Sequence, residues 1–244
     1  MPVELILLFL FAGIPYYLLF EKTNIVGKDK IFLLSALLVV AGMVVSYNYN
    51  YEISTLYIVI ALMASLFSLY KANGTNNLYK LSYYILFFNA PMLFISGAEE
   101  SVLYAESLLV SLVGVYLMGK YYERSYGSAN YRSVSGITLV TPYAGLILTI
   151  YFTALALYPP FPNALFFFNS ILHAEINLLW YLTVGIIFFG NFIIAVRVMA
   201  KTVFGKPNEN VHYIDVAPKE RFVHLVIFII LLILSSVGIQ ELLL

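Results

Sequence analysis

Ionisable side chains are rare in this 244-residue sequence, and few of them stand where they could carry chemistry. Glu106 lies early in an apolar run, and His173 and Glu175 follow a shorter one. A carboxylate whose pKa is raised by burial, next to a histidine, can pass protons across a membrane. The competing interpretations are an interfacial glutamate at Glu106 and a solvated outer loop at His173 and Glu175. We favour these competing interpretations, because each residue stands close to the end of its apolar run.

Other kinds of site are disfavoured by composition and motif. The sequence contains no cysteine, which excludes thiolate metal sites, cysteine nucleophiles and disulfides. Its three histidines, His173, His212 and His224, are scattered, so we expect no metal site. No glycine-rich phosphate loop, nucleophile elbow or zinc motif occurs, and no basic stretch is dense enough to follow a nucleic acid. We therefore predict no catalytic residue, no cofactor and no nucleic-acid partner.

The elements that position these residues must be membrane helices. Hydrophobic residues make up 62% of the chain and charged residues only 11%, with a mean hydropathy of +0.90. Soluble proteins are about one quarter charged, so a soluble domain could not cover this much apolar surface. The composition therefore predicts an integral membrane protein that has lipid among its partners.

Eight apolar runs are long enough to cross a bilayer, which takes about 20 residues of helix. They occupy about 3–20, 31–49, 53–71, 79–97, 102–121, 138–158, 177–203 and 222–240. No alternation of apolar and polar residues is sustained, so a β-barrel is disfavoured. The sequence predicts an all-α polytopic membrane protein with about eight transmembrane crossings.

The basic residues predict the orientation of these crossings. All thirteen Lys and Arg fall in alternate loops, and cytoplasmic loops are the ones enriched in Lys and Arg. This pattern places both termini on the outer side and the basic loops on the cytoplasmic or matrix side. It also requires one net crossing from 138–175, although Pro159, Pro160 and Pro162 interrupt that segment. We expect a discontinuous helix there, a feature that recurs at ion and substrate sites.

Polar and aromatic residues inside the runs are predicted to serve packing and membrane anchoring. Asn89 and Asn191 lie within apolar runs, where an amide side chain is expected to hydrogen-bond to a neighbouring helix. Tyrosines at the ends of runs predict aromatic belts at the membrane surfaces; they are Tyr47, Tyr49, Tyr51, Tyr121, Tyr122 and Tyr158. We favour such belts over a quinone or lipid pocket.

Several stretches together resemble one known family in their order and spacing. They are Gly-Lys-Tyr-Tyr-Glu-Arg at 119–124 with Gly136 and Pro142, Leu-Tyr-Pro-Pro at 157–160 followed by 165–172, the helix end at 197–206, and 218–221. The family comprises the antiporter-like, proton-translocating membrane subunits of respiratory complex I, membrane-bound hydrogenases and multi-subunit sodium–proton antiporters. Residues 1–50 resemble an N-terminal transmembrane hairpin, and 51–244 resemble the helical bundle in the C-terminal half of such subunits.

The resemblance implies a shortened, degenerate member of this family. At positions where the family carries ionisable groups, this sequence has Asn89, Ser107 and Phe168, with Asn169 beside Phe168. Proton relays need side chains that exchange protons, and these do not. The remaining candidates for an ion path are Glu106, His173, Glu175, Asn89 and Asn169.

The resemblance also implies a function. We expect a non-catalytic subunit in the membrane arm of an energy-converting complex, either a complex I-like NADH/quinone oxidoreductase or a related hydrogenase. Such a subunit contributes structure or part of an ion-translocation path, and its partners are other integral-membrane subunits. The expected location is an energy-transducing membrane, either a prokaryotic plasma membrane or an organellar inner membrane. Two alternatives stay open: a stand-alone secondary transporter of an ion or solute, and an accessory or assembly membrane protein.

Overall fold

The computed structural model describes residues 2–48, 54–94, 98–173 and 178–243. Within these ranges the chain is helical, and the only β-type pairing is an isolated bridge between Asn77 and Asn130. The helices are α1 (Pro2–Leu10), α2 (Tyr17–Thr23), α3 (Ile31–Asn48), α4 (Thr55–Gly74), α5 (Leu78–Asn89), α6 (Ala98–Tyr126), α7 (Ile137–Val140), α8 (Pro142–Leu155), α9 (Pro162–Leu172), α10 (Leu178–Thr202) and α11 (Pro218–Leu243). A short 3-10 helix, Ala90–Phe94, continues α5.

Among the described residues, five helices are long and apolar enough to cross a membrane, namely α3, α4, α6, α10 and α11. Their outward faces carry large apolar side chains such as Leu37, Met63, Phe189 and Leu232, which are 66%, 64%, 63% and 70% exposed. A surface of this kind is suited to hydrocarbon rather than to water. The all-α prediction is confirmed for the described residues, and the five helices are compatible with a multi-pass membrane protein.

Helix α5 and the 3-10 helix that follows it form the central column of the bundle. Every residue of 81–94 is buried. Asn77 caps the start of α5, because its Oδ1 accepts a hydrogen bond from the Lys80 N–H at 3.1 Å. Pro91 lacks an N–H and cannot continue the α-helical ladder, so the chain proceeds in 3-10 geometry. The column is about 28 Å long, close to the thickness of the hydrocarbon layer.

The first apolar run forms two helices, whereas its sequence predicts one. Helices α1 and α2 are separated by residues 11–16, and Ala12 there has a φ of 58°. Pro15 has no N–H to donate and disfavours the helical conformation in the residue before it, which ends the helix. Gly13 allows the close packing of this break, because a Cβ atom on it would lie 2.6 Å from Cδ1 and 2.9 Å from the carbonyl oxygen of Leu8.

A second interruption separates α8 from α9. The intervening residues, 156–161, include Pro159 and Pro160, which are joined by a cis peptide bond, and Leu157, which has a φ of 58°. Helix α9 begins with Pro162 in its first turn, where proline is favoured because its missing N–H would have no helical partner. Helix α9 packs against α6 and α11, which enclose it within the bundle.

Four loops meet at one end of the bundle, which we call the basic end; they are residues 24–30, 75–77, 127–136 and 203–217. The Leu78 N–H donates to the Ala129 carbonyl at 3.0 Å, and the Gly136 N–H donates to the Lys201 carbonyl at 3.0 Å. Residues of the first three loops line one shared cavity. All thirteen Lys and Arg of the sequence lie in these loops or in the helix ends beside them. Positive charge is therefore concentrated on one end of the molecule.

Candidate functional site

A buried cluster of amide and phenol groups joins three helices near the centre of the bundle. It consists of Asn89 on α5, Tyr104 on α6 and Asn191 on α10, and we call it the amide cluster. Asn89 Oδ1 accepts from Asn191 Nδ2 at 2.7 Å and from the Tyr104 hydroxyl at 2.7 Å. Asn89 Nδ2 donates to Asn191 Oδ1 at 3.1 Å and to the Ile85 carbonyl at 2.8 Å. Asn89 therefore satisfies the polar groups of two other helices while being fully buried itself.

Close packing of α10 against α5 brings the two asparagines together. Gly190 lies beside Phe88, and a Cβ atom at Gly190 would stand only 2.3 Å from Cζ of that ring. Ser65 on α4 holds the same stretch of α5 from another side, because its hydroxyl donates to the Phe88 carbonyl at 2.5 Å. A small residue is thus required next to Asn191 for the amide pair to form.

A second polar pair lies between α6 and α9. The Ser111 hydroxyl donates to Asn163 Oδ1 at 2.9 Å, and Asn163 is fully buried. In the described part of the chain, Asn163 Nδ2 and Asn169 Oδ1 are buried atoms without a hydrogen-bond partner. The ring of Phe167 lies 6.0 Å from that of Tyr104, so α9 also borders the amide cluster.

A third polar pair lies between α8 and α11. The Tyr151 hydroxyl is 2.8 Å from His224 Nδ1, and both residues are buried. Gly114 of α6 makes room for the Tyr151 ring, because a Cβ atom there would be 2.2 Å from Cζ of that ring. Tyr104, Ser107, Ser111 and Gly114 follow one face of α6, so the three groups lie along a single polar stripe.

The polar stripe contains almost no ionisable side chains. Among the described residues, the buried polar side chains are those of serine, threonine and asparagine together with His224. No carboxylate, lysine or arginine in this part of the chain is fully buried. Amide and hydroxyl groups orient helices and hydrogen-bond to water, but they do not exchange protons readily near pH 7. Among the described buried side chains, the imidazole of His224 is therefore the one base that could take up a proton.

The residues predicted as ion-path candidates lie in different surroundings. Asn89 belongs to the amide cluster, and Asn169 is buried on α9. Glu106 is exposed on α6, and His173 is exposed at the end of α9, with Nδ1 3.0 Å from the Asn169 carbonyl oxygen. Glu175 lies outside the described residues. At the helix interruption, Pro159 and Pro160 are exposed, whereas Pro162 is buried.

Sequence reasoning did not single out Tyr104, Ser111, Asn163 or the Tyr151–His224 pair. A weak indication of the residues on α6 is present in the sequence: positions 104, 107 and 111 recur at helical spacing on one face of an apolar run. The contact between Tyr151 and His224 joins positions 73 residues apart. Such a pairing depends on how the helices pack and not on any local pattern.

An arginine at the basic end ties α10 to the end of α4. Arg197 donates to the carbonyls of Ala72, Asn73 and Thr75 at 2.7, 2.8 and 3.0 Å. Ala72 and Asn73 lie in the last turn of α4 and Thr75 directly follows it, where a helix leaves carbonyls short of intrahelical partners. Tyr131 also donates to the Thr75 carbonyl, at 3.2 Å, and burial raises the pKa of its phenol, which keeps it protonated as a donor. The same guanidinium lies 5.9 Å from the centre of the Tyr131 ring.

The aromatic-belt prediction is wrong for Tyr121 and Tyr122, which are buried at the basic end. The Tyr121 hydroxyl donates to the Ile214 carbonyl at 2.5 Å, so a long loop covers it. Tyr47 and Tyr158 are instead 78% and 63% exposed, as a belt requires. Tyr49 and Tyr51 lie outside the described residues. The difference arises because the polar loops at the basic end fold over the helix ends.

Comparison with known proteins adds no family assignment to this description. No protein-family model matches the chain, and no curated protein matches it significantly in sequence. The resemblance to antiporter-like subunits therefore rests on the sequence stretches given above and stays a prediction.

Proposed function

We propose that this chain is a non-catalytic, antiporter-like subunit in the membrane arm of an energy-converting complex. The observation that carries the proposal is the composition of its interior: among the described residues, the fully buried polar side chains include no carboxylate, lysine or arginine. Ion pumps of the bilayer interior depend on such groups. A bundle that keeps a polar interior without them is suited to form structure, or one wall of an ion path, beside subunits that do the pumping.

The topology we propose has eight crossings with both termini on the outer side. It is supported by the meeting of four loops at the basic end, since each segment between two of these loops must leave that end and return to it. The crossings are then α1–α2, α3, α4, α5 with its 3-10 extension, α6, α7–α9, α10 and α11. The basic end faces the cytoplasm or matrix, as expected for loops rich in Lys and Arg.

The resemblance to antiporter-like subunits is supported by the interrupted segment between α8 and α9. Members of such families place a broken helix at the ion path. Here the corresponding half-helix, α9, presents Asn163 and Asn169 to the interior instead of an ionisable side chain. The partners we propose are other integral-membrane subunits of a complex I-like oxidoreductase or a hydrogenase, in an energy-transducing membrane.

Purification under native conditions tests this proposal. The chain, extracted from its own membrane in a mild detergent, is expected to migrate with other membrane subunits, which mass spectrometry of the isolated band would identify. Isolation of the chain alone, with saturable gradient-driven ion uptake after reconstitution into proteoliposomes, would establish a stand-alone transporter instead. Association only with incomplete complexes would establish an assembly factor.

A further inference from the structure

A small cavity opens at the basic end between α6 and α11. Its volume is about 160 Å³, and it is lined by Leu117, Lys120, Lys219, Glu220, Val223 and His224. A water molecule occupies about 30 Å³ in the liquid, so the cavity holds the equivalent of about five waters. That space suits a group of about five heavy atoms.

The charges around this cavity favour an anion. Lys120 and Lys219 are both exposed and contribute two ammonium groups, of which that of Lys120 lies 5.1 Å from the centre of the Tyr116 ring and would turn from it toward a ligand. The acidic residue of the lining, Glu220, forms an ion pair with Arg124 from α6 through Oε1, which offsets its charge, whereas its Oε2 is buried without a hydrogen-bond partner among the described residues. The two lysines consequently leave the lining with excess positive charge.

His224 supplies a directed hydrogen-bonding group among the lining residues. Its Nδ1 is engaged by the Tyr151 hydroxyl at 2.8 Å, which leaves Nε2 as the ring nitrogen available to a ligand. When Tyr151 donates to Nδ1, the proton of the neutral imidazole resides on Nε2, which is then a donor. An anionic oxygen in the cavity would favour this tautomer.

The surroundings of the cavity indicate that its ligand is an amphiphile. Leu117 and Val223 provide apolar walls, and Val223 is 44% exposed on the outer face of α11. Phe222 beside it is 66% exposed, so the flank of α11 next to the cavity is apolar as well. A ligand with an anionic group in the cavity could therefore lay acyl chains along α11.

From these observations we propose that the cavity binds the headgroup phosphate of an anionic phospholipid from the leaflet at the basic end. Lys120 and Lys219 attract the phosphate, and His224 Nε2 donates to one of its oxygens. Basic pockets between membrane helices are suited to such headgroups. The site does not depend on which complex contains the chain, so it goes beyond the proposed function.

Lipid binding to the purified, delipidated chain tests the site. Native mass spectrometry would measure the affinity for phosphatidylglycerol, with phosphatidylcholine as the zwitterionic comparison. The double variant Lys120→Gln/Lys219→Gln is expected to bind phosphatidylglycerol roughly 30-fold more weakly, from the typical contribution of each lysine near an anionic membrane surface. The matched control, Lys22→Gln/Lys30→Gln, removes the same charge from exposed positions outside this cavity and is expected to bind normally.

A second pair of variants separates the cavity from general electrostatic attraction. Val223→Trp fills the cavity without changing any charge and is expected to reduce phosphatidylglycerol binding at least 10-fold. Leu225→Trp adds the same side chain at a 51% exposed position of α11 outside the cavity lining and is expected to have no effect. Equal losses in the Lys120/Lys219 variant and its control, or unchanged binding in Val223→Trp, would overturn the proposal. Displacement of the lipid by millimolar inorganic phosphate would also overturn it, because the ligand would then be a free anion.

Discussion

Asn89 is the residue on which the interior polar contacts converge. It receives hydrogen bonds from Tyr104 and Asn191 and returns one to Asn191, so its loss leaves groups on two other helices without partners. Among the described residues, the hydrogen bonds of the Asn191 side chain are those of this amide pair. Two asparagines in contact therefore contribute unequally to the stability of the same bundle.

Replacement of Asn89 by leucine is expected to destabilise the protein by about 1–3 kcal/mol, the usual cost of leaving buried polar partners unsatisfied. Asn191→Leu is expected to cost only about 0.6 kcal/mol, because Asn89 keeps its bonds to Tyr104 and Ile85. Unfolding free energies from SDS titration in detergent would measure both. Asn48→Leu, an exposed asparagine on α3, is the control and is expected to change little. Equal costs for Asn89→Leu and Asn191→Leu would contradict the convergence on Asn89.

Arg197 makes contacts at the basic end that a lysine cannot reproduce. Its planar guanidinium reaches three carbonyls at once, whereas lysine offers a single ammonium. Arg197→Lys is expected to lower the midpoint of thermal unfolding although the charge is kept. Arg132→Lys, at an exposed loop position, is the matched control and is expected to leave the midpoint unchanged. If the two variants unfold at the same temperature, Arg197 does not secure the end of α4.

Some of the buried polar residues can be predicted from the sequence, and others cannot. Asn89 and Asn191 stand out because amides are conspicuous in apolar runs, and their mutual hydrogen bonds agree with the packing role predicted for them. His224 does not stand out, because it is near the start of the last run, where a solvated position is equally compatible with the sequence. Tyr151 comes to lie beside it because α8 and α11 both pack against α6.

At the scale of elements, contacts between helices depend on small residues at the crossing points. Gly190 on α10 faces the ring of Phe88, whereas a Cβ atom at Gly185 on the same helix would meet nothing within 4 Å. Substituting each glycine in turn therefore distinguishes the need for a small residue against Phe88 from the effect of alanine on helix propensity. Alanine favours a helix over glycine by about 1 kcal/mol at either position.

Gly190→Ala is expected to destabilise the bundle by about 1–3 kcal/mol, because the new methyl group has to displace the Phe88 ring. Gly185→Ala is expected to be neutral or stabilising. The double variant Gly190→Ala/Phe88→Leu should recover part of the loss, since leucine vacates the space that the methyl group needs. Unfolding in detergent, followed by circular dichroism, would measure all three. Equal behaviour of the two single variants would show that α5 and α10 are not held in close contact.

The helices differ in how well their sequences predict them. Runs such as 31–49 and 222–240 correspond closely to α3 and α11, because length and apolarity alone determine a spanning helix. The sequence does not predict the separation of α1 from α2, although Pro15 lies within the first apolar run. A single proline is tolerated within many membrane helices, so the sequence alone does not show that the chain breaks here.

At the scale of the whole molecule, the concentration of positive charge on one end distinguishes the two sides of the bundle. Because the sequence has no cysteine, single introduced cysteines can report each side without further changes. The proposed topology predicts that His173→Cys reacts with a membrane-impermeant maleimide in intact cells. Ser128→Cys, in a loop of the basic end, is expected to react only after the cells are permeabilised. Reaction of both in intact cells would contradict the proposed crossings of α7–α9.

The burial of α5 has a consequence for how the protein is made. This helix contains Lys80, Ser82 and Asn89, and in the finished bundle protein rather than lipid covers every residue from 81 to its end. It leaves the translocon before α6 and α10, which later enclose it. During synthesis it must therefore be held by the earlier helices or by an insertion chaperone until those partners arrive. A ribosome-stalled chain ending shortly after α5 is consequently expected to be degraded quickly, whereas one that includes α10 should persist.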